Sequence, residues 1–419
     1  MSVTCDILNT GSELTLGRTL NRHGAWIAQK LVPLGITVRR QVTVPDGDII
    51  REEMERSLEA ADLVVVTGGL GPTLDDITRE VAAELLGLEL AVDPVTVGRI
   101  EARLAARGRC MNAHQSRQAM TPAGATVLAN DHGTAPGLWF GPDLLGGRRA
   151  AGLVLLPGPP RELHPMFDAQ VVPLVRSTFA DRLPPLALRA FYFYGIGEGD
   201  LANSVDPLLL GVAGLDVGYC AHSTGIMELR LVGTPEVVAQ GVGHVRPHLG
   251  PECFSESSAS LEERIVTLLA EKGQRVTVAE SCTGGAVLSR ITDVPGASAV
   301  LDRGFVVYAN RAKTELISVN ESDLQEFGAV SETVARQMAE GALAAAGADH
   351  ALALTGVAGP DGGTERTPVG TVWIALASRG MPTLAIRERW LVDRPTFKLY
   401  AGSKALDLLR RRLDGSEGK

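Results

Sequence analysis

Along the first part of the chain, the spacing of apolar and polar positions changes back and forth between a strand-like and a helix-like pattern. Short β-branched runs and amphipathic stretches follow one another in this order: VTCDILNT, residues 20–31, ITVRRQVTV, residues 49–61 and DLVVVTGG. Strands that alternate with helices predict right-handed βαβ units and a mostly parallel sheet. A further apolar run, GLVLLPGPP, ends near residue 160 and leads into a short predicted helix. We therefore expect an α/β domain over residues 1–172.

The pattern changes after this domain. Between residues 173 and 256, two strand-like runs, RAFYFYG and IMELRLVG, alternate with the helical stretches GEGDLANSVDPLL and PEVVAQGVGHV. This order predicts a small α+β middle domain. The polar segment SESSAS at 255–260 marks the next boundary, because short serine-rich stretches are typical of linkers.

Residues 257–415 again alternate between predicted helices and predicted strands. Its predicted elements are, in order, a helix at 261–272, the strand QRVTVAE, the turn SCTGG, a helix to about 290, the strand GFVVYAN, a helix at 331–346, the strand HALALTG, a glycine-rich loop, the strand GTVWIALA and a helix ending in ALDLLRRR. The fold class is therefore α/β in both large domains. The carboxyl ends of the predicted parallel strands are the expected place for a ligand.

The amino-acid composition and net charge argue against some classes of function. The 419 residues are 45% hydrophobic and 21% charged, which is ordinary globular usage, and the formal net charge is −9. An acidic balance argues against direct nucleic-acid binding, because that affinity comes from neutralising phosphates with Lys and Arg. We expect no membrane segment and a cytoplasmic protein, since the sequence shows neither an apolar run of about 18 residues, nor a signal peptide, nor a C-x-x-C pair.

Ser281 lies in a predicted strand-to-helix turn. The strand ends at Glu280, and Gly284 and Gly285 open the next helix, so the hydroxyl and the backbone amides of the helix start face one space. This arrangement is typical of a nucleophile, because an oxyanion needs donors that are already oriented. The alternative is that Ser281 or Thr283 merely caps the helix.

Two further side chains are candidates for the same site. Tyr308 ends a predicted strand, and Lys313 follows five residues later, so both can reach the crevice of Ser281. Lysine acts as a base only if burial lowers its pKa from about 10.4 towards 7. The alternatives are a solvated lysine and a tyrosine that packs at a strand end.

The segment TGVAGPDGGTERTPVG, residues 355–370, joins two apolar strands. Glycine-rich backbone can approach a phosphate closely, and a loop of this length is uncommon in a compact domain unless it is functional. The alternative is a long surface connection. Cys282 is a rival nucleophile beside the helix start, but no histidine stands in these motifs to pair with it.

The first domain contains a second candidate site in GGLGPTLDD, residues 68–76. Its glycines and the following helix start can hold a diphosphate, and Asp75 or Asp76 can bind a divalent cation that bridges to it. The alternative is that the two carboxylates only stabilise the helix start electrostatically. The segment has no G-x-G-x-x-G fingerprint and no P-loop lysine, which excludes a Rossmann cofactor site and a Walker ATPase.

Residues 261–413 resemble the C-terminal domain of the CinA family, which is similar to the nicotinamide-nucleotide amidases. The motifs that carry the resemblance are AESCTGG, GFVVYANRAK, VSE and ALTGVAGPDGGTERTPVGTVWIA, in that order. The resemblance implies a hydrolase of pyridine-nucleotide salvage that converts nicotinamide mononucleotide to nicotinic acid mononucleotide and ammonia, without a cofactor.

The family pattern also implies residue roles in this domain. Its catalytic serine, tyrosine and lysine correspond to Ser281, Tyr308 and Lys313, and we add Thr355 and the amides near Gly284 as candidates for the oxyanion. The substrate-binding candidates are Thr283, Gly284, Gly285, Gly359, Gly362, Gly363 and Arg394. The family has a second arginine where this chain has Lys398, which puts bidentate phosphate binding there in doubt.

The first domain resembles the molybdopterin-binding fold found at the front of CinA proteins, through TGSELTLGR, GGLGPTLDD and LPGPPRE. Some family members are implied to cleave ADP-ribose there with a divalent metal such as Mg or Co. The candidates carried over for this nucleotide site are Gly68, Gly69, Gly71, Asp75, Asp76, Glu13 and Asn21, with Asp75 and Asp76 as metal ligands.

The middle segment resembles the family's KH-type insert, and the family implies a homodimer. The one G-x-x-G, Gly211 to Gly214, precedes a strand and does not open a helix, so it gives little support to RNA binding. The alternative to an enzyme is a non-catalytic partner in competence or recombination, as the family's name suggests. DNA binding that survives moderate salt would favour that alternative.

Overall fold

A computed structural model describes residues 3–258 and 260–416. The chain divides between Ala187 and Leu188 into two compact units. Among the described residues, no helix combines the length and the apolar character that crossing a membrane requires.

The first unit is a three-layer α/β domain. Its strands are β1 Val3–Thr10, β2 Ile36–Val44, β3 Leu63–Thr67, β4 Leu90–Val92, β5 Met120–Pro122, β6 Thr126–Leu128, β7 Gly137–Phe140 and β8 Gly152–Leu156. Its helices are α1 Ser12–Thr15, α2 His23–Leu31, α3 Ile49–Ala60, α4 Thr78–Leu86, α5 Pro94–Ala105, α6 Ala113–Arg117, α7 Pro160–Met166 and α8 Val172–Thr178.

The six-stranded sheet has the order β2-β1-β3-β8-β7-β6, in which the first four strands are parallel and β7 is antiparallel to both of its neighbours. Alternate side chains of each strand enter different cores, because successive strand residues point to opposite faces. Leu63 and Val65 pack on one face with α2, whereas Val64 and Val66 pack on the other with α3. This double burial explains why the central strands are continuous apolar runs.

The second unit begins with a four-stranded sheet and two helices. The elements are β9 Ala187–Tyr194, α9 Glu198–Leu209, β10 Asp216–Ala221, β11 Ile226–Gly233, α10 Pro235–Val245 and β12 Cys253–Ser255, with the strand order β10-β11-β9-β12. This agrees with the expected α+β pattern. Gly211 and Gly214 lie in the loop between α9 and β10, so they do not join two helices.

The remainder of the second unit is an α/β domain with a five-stranded sheet, order β14-β13-β15-β16-β17. Its strands are β13 Val276–Glu280, β14 Phe305–Val306, β15 His350–Gly356, β16 Thr371–Ser378 and β17 Met381–Arg389. Its helices are α11 Leu261–Lys272, α12 Ala286–Thr292, α13 Asn310–Ile317, α14 Glu321–Phe327, α15 Glu332–Ala346 and α16 Arg394–Asp414. The sequence pattern did not predict β17, a partly exposed edge strand with a proline at its second position.

The parallel strands bring the predicted motifs to one edge of this sheet. Glu280, the last residue of β13, pairs with Val306 of β14 and with Leu354 of β15. The chain segments that follow these three residues therefore leave the sheet at the same level. They contain Ser281, Tyr308 and Thr355, as the strand order requires.

Helix α13, which carries Lys313, is held in place by a close contact with α15. A Cβ added to Gly341 of α15 would lie 1.8 Å from the carbonyl oxygen of Ile317, at the end of α13. Only glycine allows the two backbones to approach this closely.

We predict that Gly341→Ala lowers the free energy of unfolding by about 2 kcal/mol, because the added methyl group forces the two helices apart. Gly243→Ala is the matched control, since nothing lies within 4 Å of the new Cβ in α10. The control should raise stability slightly, through the helix propensity of alanine. Equilibrium denaturation of the three proteins measures both effects, and equal stability of Gly341→Ala and the wild type would contradict the prediction.

Candidate functional site

A buried amine and a serine hydroxyl meet at the carboxyl edge of the second sheet. The Nζ atom of Lys313 lies 3.3 Å from Ser281 Oγ, and it donates to the carbonyl oxygens of Val307 at 3.0 Å and Tyr308 at 3.3 Å. Lys313 is only 1% exposed and Ser281 8%. Lys313 forms no ion pair with a carboxylate in the described part of the chain. Burial lowers the pKa of Lys313 below its usual value, because an ammonium group loses its hydration there.

Glu280, and not Ser281 or Thr283, caps helix α12. Its carboxylate is fully buried and accepts hydrogen bonds from the amides of Gly285 at 2.8 Å, Val287 at 3.2 Å and Leu288 at 2.8 Å. These are the orphan donors of a helix start. The hydroxyl of Ser281 is therefore not used as a cap and remains with Lys313.

The turn between β13 and α12 depends on two glycines. Gly284 and Gly285 have φ values of 63° and 93°, in the left-handed region that side chains with a Cβ rarely adopt. The amides of Thr283 and Gly284 have no hydrogen-bond acceptor among residues 3–258 and 260–416. Because Glu280 already occupies the amides of Gly285, Val287 and Leu288, the donors that stay free in the turn after Ser281 are the amides of Cys282, Thr283 and Gly284.

Cys282 does not have the properties of a nucleophile. Its side chain is 5% exposed, and burial raises the pKa of the thiol to about 12. A thiol with that pKa stays protonated near neutral pH, and the thiolate is the reactive form. The structure thus favours Ser281 over its neighbour.

Thr355 and Tyr308 are placed differently from the sequence-based expectation. The Thr355 hydroxyl donates its proton to the carbonyl oxygen of Ala329 at 2.7 Å, so it is not a free donor for an oxyanion. The Tyr308 ring is 65% exposed, and only its backbone carbonyl contacts Lys313. A proton relay through the phenol has no supporting hydrogen bond among the described residues.

The phenol of Tyr308 instead takes part in a contact at the rim. Arg394, the first residue of α16, donates to Tyr308 Oη at 3.4 Å and to the carbonyl oxygen of Gly359 at 3.1 Å. One guanidinium group therefore joins the β14 end to the glycine-rich loop. The three predicted motifs converge at this edge of the sheet.

Several positions of the glycine-rich loop require glycine, because their backbone has positive φ or lies very close to another part of the loop. Gly359 and Gly362 have φ values of 77° and 88°, and a Cβ on Gly363 would lie 2.7 Å from the amide nitrogen of Val369. Lys398, one turn along α16 from Arg394, places its Nζ 3.9 Å from the position of a Cβ on Gly284. Two cations thus face the loop and the Ser281 turn.

The first unit contains a polar cavity of about 350 Å³ at the carboxyl edge of its sheet. It is lined by six of the seven predicted residues: Glu13, Gly68, Gly69, Gly71, Asp75 and Asp76. Asp46 and Glu162 bring the number of carboxylates that line it to five. Sequence reasoning named neither as a site residue, because Asp46 lies in the loop after β2 and Glu162 in helix α7, both far from Asp75 and Asp76 along the chain. The seventh residue, Asn21, does not line this cavity. It accepts from the His23 amide at 3.1 Å and donates to Thr43 at 3.0 Å.

The glycine turn of this cavity is tightly packed. Gly68 and Gly69 both have positive φ, and Cβ atoms on them would lie 2.4 Å from the Thr10 carbonyl oxygen and 2.0 Å from Thr78 Oγ1. A Cβ on Gly71 would lie 2.4 Å from Asp76 Oδ2. The backbone of this turn is therefore exposed to the cavity without intervening side chains.

The fit of a metal to Asp75 and Asp76 is limited. Asp76 accepts from the Thr73 amide at 2.9 Å and from the Thr73 hydroxyl, and α4 has no side-chain cap. The described residues contain no group of three His, Cys, Asp or Glu side chains that would hold a metal. The assignment of Asp75 and Asp76 as metal ligands stays a prediction from sequence. Two carboxylates suit Mg²⁺ only when substrate oxygens and water complete the shell.

We predict that Glu280→Ala lowers the free energy of unfolding by about 3 kcal/mol, because three amides at the start of α12 lose a buried, charged acceptor. Asp393→Ala is the matched control. Asp393 caps α16 at an exposed position through the Thr396 amide, so its loss should cost about 1 kcal/mol. Urea denaturation compares the two variants, and an equal or smaller effect at Glu280 would contradict this description of the turn.

Comparisons with known proteins identify the families that the two parts of the chain match. Residues 258–413 match the family model described as "CinA C-terminal domain", and residues 6–177 match "Probable molybdopterin binding domain". The CinA-like protein of Akkermansia muciniphila is 43% identical over 408 residues, which cover 96% of each chain. The CinA-like protein of Geotalea uraniireducens is 39% identical over 415 residues, or 97% of this chain and 96% of its own.

Among solved structures, the competence/damage inducible protein CihA from Agrobacterium tumefaciens is 42% identical, covers 37% of this chain and 93% of its own, and has a TM-score of 0.36. The full-length relatives carry the assignment, because they span both domains at high identity. The chain belongs to the CinA family, with a molybdopterin-binding-like N-terminal domain and a CinA C-terminal domain.

Proposed function

We propose that the C-terminal domain is an amidohydrolase that converts nicotinamide mononucleotide to nicotinic acid mononucleotide and ammonia. The observation that carries the proposal is the buried Lys313 amine, 3.3 Å from Ser281 Oγ and without a counter-charge among its described contacts. A neutral amine beside a hydroxyl is a base for a serine nucleophile.

The chemistry runs in two stages. Neutral Lys313 takes the proton of Ser281 while Oγ attacks the carboxamide carbon, and the free amides of Thr283 and Gly284 stabilise the oxyanion. The resulting Lys313 ammonium returns its proton to the leaving nitrogen, so that the C–N bond breaks and ammonia departs. Water, deprotonated by Lys313, then hydrolyses the ester and restores Ser281.

The substrate phosphate suits the cationic rim of this site. Arg394 and Lys398 present two positive charges next to the glycine-rich loop, and exposed backbone of Gly362 and Gly363 allows close approach. Lys398 acts as a point charge where the family pattern has a bidentate arginine, which weakens geometric selection but keeps the charge. The exposed ring of Tyr308 provides a face for the cationic pyridinium ring.

We propose a second activity for the N-terminal domain, the binding and hydrolysis of ADP-ribose with a divalent metal. The supporting observation is the cavity that combines a side-chain-free glycine turn with five carboxylates. Bound to Asp75, Asp76 and substrate oxygens, the metal would neutralise diphosphate charge. The backbone of Gly68 and Gly69 would approach the diphosphate, and Glu13, which lines the same cavity, would accept a proton from the attacking water.

Both activities act on pyridine nucleotides or their fragments, which fits a salvage enzyme. Location in the cytoplasm and assembly as a homodimer remain predictions from sequence.

The first experiment measures ammonia release from nicotinamide mononucleotide by Ser281→Ala, Lys313→Arg and the neighbouring control Cys282→Ala. The first two variants should lose at least 100-fold in kcat/KM, because arginine stays protonated and cannot act as the base. Cys282→Ala should keep nearly full activity. Loss of activity in the cysteine variant with activity retained in the serine variant would reverse the assignment.

The pH dependence of kcat/KM for the same reaction tests the base. Because burial lowers the pKa of Lys313, its neutral form accumulates at lower pH than for an exposed lysine. We expect kcat/KM to rise with pH and to level off below the pH at which an exposed lysine loses its proton. A rate that falls as pH increases through neutrality would rule out a neutral-amine base.

The second experiment incubates the protein with ADP-ribose, with and without Mg²⁺ or Co²⁺, alongside Asp76→Ala. Cleavage should require metal and should fall at least 100-fold in the variant, while amidase activity stays unchanged because Asp76 belongs to the other unit. Metal-independent cleavage, or full activity of the variant, would contradict the N-terminal assignment.

A further inference from the structure

A cavity of about 300 Å³ lies within the second unit, where the four-stranded sheet meets the C-terminal α/β domain. We call it the junction cavity. Its walls come from the turn 195–197 between β9 and α9, from Gly225 between β10 and β11, and from residues of β17 and α16. None of the residues assigned above to the two candidate sites lines it, so it is a separate place on the molecule.

The turn between β9 and α9 leaves backbone amides without acceptors. Its sequence, GIGEG at 195–199, has glycine at every second position. Gly197 is the N-cap of α9 and has no side chain, so the amides of Glu198, Gly199 and Asp200 have no acceptor in the described part of the chain. Free amides at the start of a helix suit a phosphate group.

The side chain of Tyr194 is a second and independent feature of the junction cavity. It is 8% exposed and lines the cavity, and its hydroxyl has no hydrogen-bond partner among residues 3–258 and 260–416. The hydroxyl end of the ring reaches the cavity wall, because a Cβ added to Gly225 would lie 3.6 Å from Tyr194 Cε2. A buried tyrosine hydroxyl normally has a partner, so this one is free to donate to a ligand.

Lys404 brings a positive charge to the same cavity. Its Nζ atom lies 3.1 Å from a carboxylate oxygen of Glu388, and the two side chains are 31% and 32% exposed. Ion pairs at this exposure are weak, so Lys404 can bind a phosphate instead. The two acidic residues in the first turn of α9 are exposed and do not line the cavity.

Two aromatic rings complete the lining. Trp390 and Tyr400 are partly exposed and meet edge to face, with 6.0 Å between their centroids. Aromatic side chains of this kind stack on any nucleobase. A volume of about 300 Å³ is at the lower end of the range for ligand pockets, so it suits a mononucleotide better than a dinucleotide.

We propose that the junction cavity binds a nucleoside monophosphate, at a site separate from both candidate active sites. The base stacks on Trp390 and Tyr400. The phosphate lies between the start of α9 and Lys404, and it accepts a hydrogen bond from the Tyr194 hydroxyl. This inference depends on neither of the two proposed activities.

Fluorescence titration of the full chain with AMP tests the proposal. The chain has four tryptophans, and the quenching that Trp390→Phe removes reports on the junction cavity. In the wild type, AMP should quench this signal saturably and bind at least tenfold more tightly than adenosine, which lacks the phosphate, or ribose 5-phosphate, which lacks the base. No quenching of Trp390 by AMP, or equal affinity for AMP and adenosine, would overturn the inference.

Three variants and a control locate the binding. Lys404→Ala should weaken AMP at least tenfold, and Tyr194→Phe, which removes only the hydroxyl, at least threefold. Lys272→Ala is the matched control for the lysine, because Lys272 is exposed on α11 and does not line the cavity, and it should change nothing.

Arg394→Ala separates the junction cavity from the Ser281 site, because Arg394 lies at the rim of that site. This variant should leave the AMP affinity measured at Trp390 unchanged. Loss of the quenching in Arg394→Ala would place AMP at the Ser281 site and overturn the inference. Unchanged affinity in both Lys404→Ala and Tyr194→Phe would overturn it as well.

Discussion

The account of the C-terminal domain depends on one constraint, a buried lysine amine that forms no ion pair with the residues that the structure describes. Lys313 contacts one hydroxyl and two carbonyl oxygens, and these groups solvate an ammonium ion less well than water does. The nearest acidic residue in sequence to Ser281, Glu280, gives its charge to the amides of α12. No carboxylate among the described residues pairs with this amine, so desolvation lowers the pKa of Lys313.

Much of the site was predictable from sequence because parallel strands have a shared carboxyl edge. The apolar runs fixed β13 and β15, and the meeting of Ser281 with Lys313 follows from the short connection after β14. Side-chain directions were not predictable, since strand and helix periodicity does not determine rotamers. Thr355 turns its hydroxyl to Ala329, Tyr308 points outward, and Glu280 points into the helix start.

In the N-terminal domain, the sequence did not predict which residues from distant parts of the chain meet at the site. The adjacent pair Asp75 and Asp76 was visible in the sequence, whereas Asp46 and Glu162 join them only through folding. Asn21 belongs to the start of α2. Both domains place their candidate chemistry at the carboxyl edge of a parallel sheet, where helix starts and glycine turns expose backbone amides. Shared geometry, and not similar residues, explains how one chain can carry two candidate sites.

The most direct measurement is the titration of Lys313 itself. Nuclear magnetic resonance of protein labelled with ¹³C at lysine Cε follows each amine, and the signal that Lys313→Arg removes identifies this one. The account predicts that this resonance titrates below the usual pKa of 10.5 in the wild type, because burial disfavours the ammonium form. A titration at or above 10.5 would show a permanently charged amine and contradict the proposed role of Lys313 as the base.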